Sequence, residues 1–369
     1  MMNTKQLRIT LISLVAALWL GLSLWAWFSP DREMSEAERR KLQQQPEISA
    51  ETLLSGKFMT NFESYTQDQF PLRDGFRQLK AVFSYEVLQK LDNNGIYIAD
   101  GYAAQMEYPL SEKSLNGALK KFQKIYDLYL KDSGGKILFA VVPDKGNYLA
   151  QENGYLSLDY DAVQETMAQL PWADQVDIRD CLSAGDYYRT DTHWRQERLM
   201  NVAQKLCDAL GVTQPELEDY NTIRRLERPF YGVYYGQAAL PMDPDEICLL
   251  ENELLRSCVV TNHETGKTGS VYDMDKLTSR DLYDVYLSGP AALLTIENPN
   301  AATDRELIVF RDSFGSSLIP LLIADYAKVT VIDTRYIVTE YLASFVDFHG
   351  QDVLMLYSTL VLNNSDTLR

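Results

Sequence analysis

Twenty consecutive residues, "ITLISLVAALWLGLSLWAWF" from Ile9 to Phe28, pass without a single charge. A helix rises about 1.5 Å per residue, so this run is long enough to cross a hydrocarbon core about 30 Å thick. An element apolar on every side needs an apolar surrounding on every side, and the reading is a membrane span. Lys5 and Arg8 precede it. The positive-inside tendency then keeps the N-terminus in the cytoplasm and carries everything after Ser29 across the cell membrane as a single-pass protein. A cleaved signal peptide would be shorter and end in small residues, whereas this run ends in "LWAWFSP", so an uncleaved anchor is expected over residues 1–28. Trp25 and Trp27 suit the lipid–water interface.

The remaining chain is long enough for one large core: of 369 residues, 46% are hydrophobic and 24% charged. The net charge of −17 argues against nucleic acid as a partner, because an acidic field repels phosphate unless a basic patch overcomes it, and none is evident. Four cysteines do not make a disulfide framework and match no zinc spacing, so neither a metal nor a cofactor is expected. Cys207 falls on an apolar helix face as a buried thiol, while Cys248 and Cys258 are candidates to pair.

Residues 29–100 read as a stalk and a helical bracket on the main domain. A charged, glutamine-rich stretch comes first. Then Phe58, Phe62 and Tyr65, followed by Phe76, Leu79 and Phe83, recur at helical spacing with a break near Pro71. Residues 101–369 alternate helix and strand. "SEKSLNGALKKFQKIYDLYLKDSGG" is an amphipathic helix with a glycine stop, and "KILFAVVPD" is a strand buried on both faces. "YDAVQETMAQL" is a helix, "QVDIRD" a short strand, and Trp194 to Leu210 another helix. "RELIVFRDSFGSSLIPLLIADY" repeats strand, tight turn and helix, and "KVTVIDTRYI" and "DVLMLYSTLVLNN" supply further strands. The class is α/β with a parallel sheet flanked by helices, interrupted by an irregular insertion at about 215–300.

In open α/β sheets ligands collect beyond the carboxyl ends of the strands. Ser313 follows the apolar run Leu307 to Phe310 and precedes Gly315, a strand–turn–helix arrangement that lifts a serine hydroxyl to where helix N–H groups favour an oxyanion. Helix capping explains Ser313, Ser316 and Ser317 equally simply. A serine needs a base, and His193 in "YYRTDTHW" is the best of three histidines, with Asp191 two positions earlier able to orient its ring. Here too capping of the following helix is the plainer alternative. His263 and His349 sit in polar turns, and Lys145 after the "VVP" strand reads as structural.

"YTQDQFPLRD", "VVPDK", "YYRTDTHW", "LYDVYLSG", "FRDSFGSS" and "IDTRY" occur in this order, and the chain resembles the DHHW family, a branch of SGNH-hydrolase-like proteins that includes the alginate O-acetylation proteins of bacterial envelopes. The resemblance implies a flavodoxin-like, SGNH-hydrolase-like domain in which Asp191 and His193 meet Ser313 in a triad. Thr192 stands where the family name has its second residue as histidine, as in the alginate relatives, and Arg311 stands where related serine motifs carry glycine. Phe314 through its N–H is the first candidate oxyanion donor, Asn363 or Asn364 the second, and Arg335 is a candidate clamp for a carboxylate or phosphate on the substrate, with a structural ion pair the equal alternative. The implied activity is acetyl transfer or ester hydrolysis on a polysaccharide substrate, beside a multi-pass membrane O-acyltransferase. The alternative is an inactive carbohydrate-binding or scaffold subunit, for which 23 tyrosines supply stacking surface.

Overall fold

The structure is a computed structural model that describes residues 3–213, 216–220 and 222–369. Its first helix, Thr4–Phe28, is capped by Asn3 and is long and apolar enough to cross a membrane, with no buried residue.

The chain forms two compact units, one running to Asn93 and including Gly236–Pro241, the other comprising Asn94–Tyr235 and Met242–Arg369. The first unit carries helices Lys57–Asp68 and Arg73–Val82, separated around Pro71, with Leu72 turning the chain at φ 57°. Its interior is charged. Arg40 grips Asp68 through two nitrogens at 2.6 and 2.8 Å, and Arg73 and Arg77 both reach Glu38.

The second unit is a three-layer α/β domain around an eight-stranded, mostly parallel sheet. Its strands in chain order are β1 Ile137–Val142, β2 Asp174–Gln175, β3 Val259–Asn262, β4 Lys267–Gly269, β5 Leu293–Glu297, β6 Arg305–Arg311, β7 Tyr326–Ile332 and β8 Asp352–Ser358. Across the sheet they stand β4-β3-β5-β7-β6-β8-β1-β2. β7, β6, β8, β1 and β2 are parallel, and β5, β3 and β4 add on antiparallel beyond β7. Side chains alternate between two apolar layers, as a sheet covered on both faces requires. Leu138, Ala140, Val142, Leu307 and Val309 face the layer that holds helix Met200–Leu210. Phe139, Val141, Ile308 and Phe310 face the layer of helices Glu112–Ile125 and Tyr160–Met167.

Four expectations need correction. The segment read as an insertion supplies β3, β4 and β5 to the main sheet; strands of only three to five residues leave little periodicity to detect. Of "QVDIRD" only Gln175 is strand, the second residue of the two-residue strand Asp174–Gln175, because the Asp177 carboxylate accepts the Arg179 N–H and turns the chain into a 3₁₀ segment. The helix placed at Trp194 begins at Met200, after a 3₁₀ turn at Gln196–Arg198. Cys248 and Cys258 are both buried free thiols, with Cys258 donating to the Leu254 carbonyl.

Candidate active site

The candidate site lies at the carboxyl end of β6, β8 and β1. After Arg311 the chain turns sharply into the short helix Gly315–Leu318. Two features enforce that turn. A Cβ at Gly315 would lie 2.9 Å from the Cβ of Arg311, so only glycine fits. The buried Asp312 carboxylate accepts N–H bonds from Phe314 at 3.0 Å and from Ser358 at the end of β8 at 2.7 Å. Ser313 is left half-buried at the apex. Its own N–H donates to no group among the described residues.

The second segment is a tight hairpin. Tyr187 bridges Trp194 antiparallel, and the Tyr188 N–H donates to the His193 carbonyl at 3.0 Å. Asp245 pins its bend by accepting from the N–H groups of Arg189 and Thr190 and from the Thr190 hydroxyl at 2.6–2.9 Å. Asp191 is completely buried. One of its oxygens accepts the His193 N–H at 3.0 Å and the ring Nδ1–H at 2.6 Å, and the other accepts the Val233 N–H at 2.8 Å. An ionised carboxylate can only accept, so Nδ1 carries the proton and Nε2 presents its lone pair. That lone pair faces the Ser313 hydroxyl at 2.8 Å, across 120 residues of sequence.

Side chains around the hairpin hold the serine turn in register with the histidine. The Tyr283 ring stacks on the His193 ring with centroids 3.8 Å apart, and its hydroxyl reaches Ser317 Oγ at 2.8 Å. Trp194 Nε1–H donates to the Phe314 carbonyl and Gln196 Nε2–H to the Ser317 carbonyl, each at 2.9 Å. These bonds explain why the helix starts late: the residues expected in its first turn are committed to the serine segment. Neither Asp191 nor Thr192 caps it, since Thr192 Oγ1 meets the Tyr234 hydroxyl at 3.0 Å.

Gly232 lies against the back of Asp191. A Cβ there would fall 2.2 Å from the Asp191 Cβ and 2.5 Å from its backbone nitrogen, so Gly232→Ala must displace the aspartate. Displacement of a reacting group by about 1 Å costs on the order of 100-fold in rate. A loss of that size in ester turnover is the expected result, measured beside a thermal melt to separate it from unfolding.

Other candidates are engaged elsewhere. The Phe314 N–H, first choice for an oxyanion donor, is taken by Asp312. Asn363 is bound to Glu107, Pro109 and the Ser111 N–H, and Asn364 occupies the position before the turn Ser365–Thr367 without a side-chain bond to it. Arg335 forms a forked ion pair with the buried Asp333, at 2.9 and 2.7 Å, rather than an open clamp. His263 meets Thr295 and His349 meets Gln351.

Lys145 is fully buried and donates to the Tyr188 carbonyl at 2.8 Å, just behind the hairpin bend. Burial pushes its ammonium down to about 7, although Asp191, Asp245 and Asp144 pull the other way. The unfolded chain keeps this proton up to its ordinary value of 10.5, so between the two values the unfolded state binds more protons. Stability should therefore rise with pH across that window, by up to about 1.4 kcal/mol per unit, and be flat below it. Lys145→Met is expected to remove this slope in denaturation midpoints compared at pH 7 and pH 9.

Residues 178–332 match the family model described as DHHW protein, a segment that contains Asp191, His193, Tyr283 and Ser313. Among solved structures the chain is similar to a DHHW family protein from Eubacterium siraeum, with a TM-score of 0.60 at 21% identity over 75% of this chain and 94% of that one. It is also similar to PatB1 of Bacillus cereus, with a TM-score of 0.55 at 15% identity over 72% and 96%. PatB1 with a sulfonyl adduct gives 0.54 at 15% identity over 72% and 97%. At these identities the likeness establishes a shared fold. No curated protein matches the chain.

Proposed function

Because residues 178–332 match the DHHW family model and Asp191, His193 and Ser313 within them converge at one end of the sheet, we propose that the chain is a serine-dependent acyl transferase or esterase acting on an envelope or secreted polysaccharide. The hydrogen-bond relay from Asp191 through His193 to Ser313 carries this reading. In the first step the Ser313 oxygen attacks the carbonyl of an acetyl ester while His193 Nε2 takes the hydroxyl proton. Asp191 stabilises the imidazolium and holds its tautomer. The Ser313 N–H, left unengaged at the turn, is the proposed donor to the developing oxyanion. His193 then gives its proton to the leaving group, and the acyl-serine passes its acetyl group to a sugar hydroxyl deprotonated by the same histidine, or to water.

In this reading Thr4–Phe28 anchors the enzyme with its N-terminus in the cytoplasm, and the catalytic unit works outside, beside a multi-pass O-acyltransferase that delivers acyl groups. PatB1 has been captured with a sulfonyl adduct, so a sulfonyl fluoride is a fitting probe for Ser313. The test incubates the protein with a chromogenic acetyl ester and polysaccharide, then measures acetate on the polymer against acetate released. Polymer acetylation supports transfer, and release alone makes it an esterase. Absence of turnover and of sulfonyl labelling defeats the catalytic reading and leaves the inactive carbohydrate-binding subunit.

A further inference from the structure

The first unit is built the wrong way round for water. Along the helix Arg73–Val82 and its continuation Phe83–Val87, the positions turned inward are Arg73, Arg77, Ala81 and Ser84. Their spacing of four, four and three defines one helix face. Arg73 and Arg77 are only 12% and 17% exposed and are held by Glu38, which Arg40 also approaches at 3.4 Å. The other face carries Leu72, Phe76, Leu79, Phe83 and Val87, and all five are exposed, Leu79 to 65%. A soluble helix buries its apolar stripe and shows its charges to water; this one exposes the stripe and turns two arginines inward. Single exposed leucines need no explanation, but a continuous stripe of five large apolar side chains does.

The same compact unit holds the helix Thr4–Phe28, apolar and uncovered along its whole length. Trp27 and Phe28 stand exposed at its far end, where the rest of the unit begins. Aromatic residues at that position mark the level of the lipid headgroups. We propose that the helical stretch Arg73–Val87 lies in the plane of the bilayer surface with Leu72, Phe76, Leu79, Phe83 and Val87 sunk among the lipids. Arg73 and Arg77 then face the interior of the unit, the arrangement that an apolar surrounding favours, while the exposed Lys80 and Glu86 are long enough to reach the headgroup level from beside the stripe. The inference is independent of the chemistry at Ser313 and rests on the reading of Thr4–Phe28 as a membrane span.

The full chain, reconstituted into phosphatidylcholine vesicles containing a phosphatidylcholine with a diazirine on its acyl chain, should acquire lipid adducts on irradiation in two places. Fragment mass spectrometry is expected to find them within 4–28 and on Phe76, Leu79 and Phe83, but not on Arg77 or Ser84. The double substitution Leu79→Gln with Phe83→Gln changes exposed side chains only and should lower the second set several-fold without altering the first. Adducts confined to 4–28 overturn the proposal and mean that water or a protein partner covers this face. Adducts in neither place overturn the membrane span together with it.

Discussion

Replacing Ser313 by alanine should lower turnover of an acetyl ester by on the order of 10⁴-fold or more while leaving the melting temperature close to that of the parent protein. The size follows from covalent catalysis: without the hydroxyl no acyl-serine forms, and what remains comes from binding and from the backbone donor at the turn. Stability is spared because Ser313 Oγ is a half-exposed atom whose principal bond is to His193. The turn is held instead by Asp312, Gly315, Trp194 and Gln196, which the substitution leaves in place. The measurement is kcat/KM together with sulfonyl labelling, which should vanish. Adding His193→Ala to Ser313→Ala should cost little more, since members of one relay fail together. A Ser313→Ala protein that retained turnover and labelling would place the nucleophile elsewhere.

Asp191→Asn should cost on the order of 10⁴-fold in kcat with the fold intact. The amide fills the same space, and its oxygen can still accept one of the three N–H groups that converge there, from His193 and from Val233. What it cannot do is serve all three as acceptor or stabilise a positive ring. An NH₂ group placed towards Nδ1 forces the imidazole into the tautomer that carries its proton on Nε2, so the lone pair facing Ser313 is lost. The discriminating readout is the pH profile: the loss should shrink at alkaline pH, where hydroxide replaces the missing base. A loss uniform across pH, accompanied by a lowered melting temperature, would identify Asp191 as a purely structural anchor.

The strand–helix alternation and the trio of serine, histidine and aspartate are legible in the sequence because each leaves a local signature. Apolar runs of strand length, a glycine after a serine and an Asp-x-His spacing all lie within a few residues. The features that make the trio a unit lie far apart in the chain. Asp245, which pins the hairpin bend, comes from a segment that reads as irregular, and Gly232 matters only because Asp191 packs against it. Tyr283 lies inside the motif "LYDVYLSG", but its stacking on His193 carries no local signature. The Phe314 N–H is a sound choice by analogy with strand–turn–helix serines, and fails here because Asp312, one residue before the serine, captures it. In the first unit the apolar positions of Arg73–Val87 are plain from their period, whereas the direction they face depends on ion pairs with Glu38 that no spacing rule contains.

The place of β6 has a consequence for the birth of the protein. It lies between β7 and β8, both of which follow it in the chain, and Asp312 is gripped by the Leu356 carbonyl and the Ser358 N–H. During synthesis the histidine hairpin emerges first, then the serine, and only near the end the strand that squares the serine turn. Contacts of such long sequence separation form late. The hairpin and the serine turn are therefore made well before the strand that fixes Asp312, and the relay from Asp191 to Ser313 is squared only when that last strand joins the sheet.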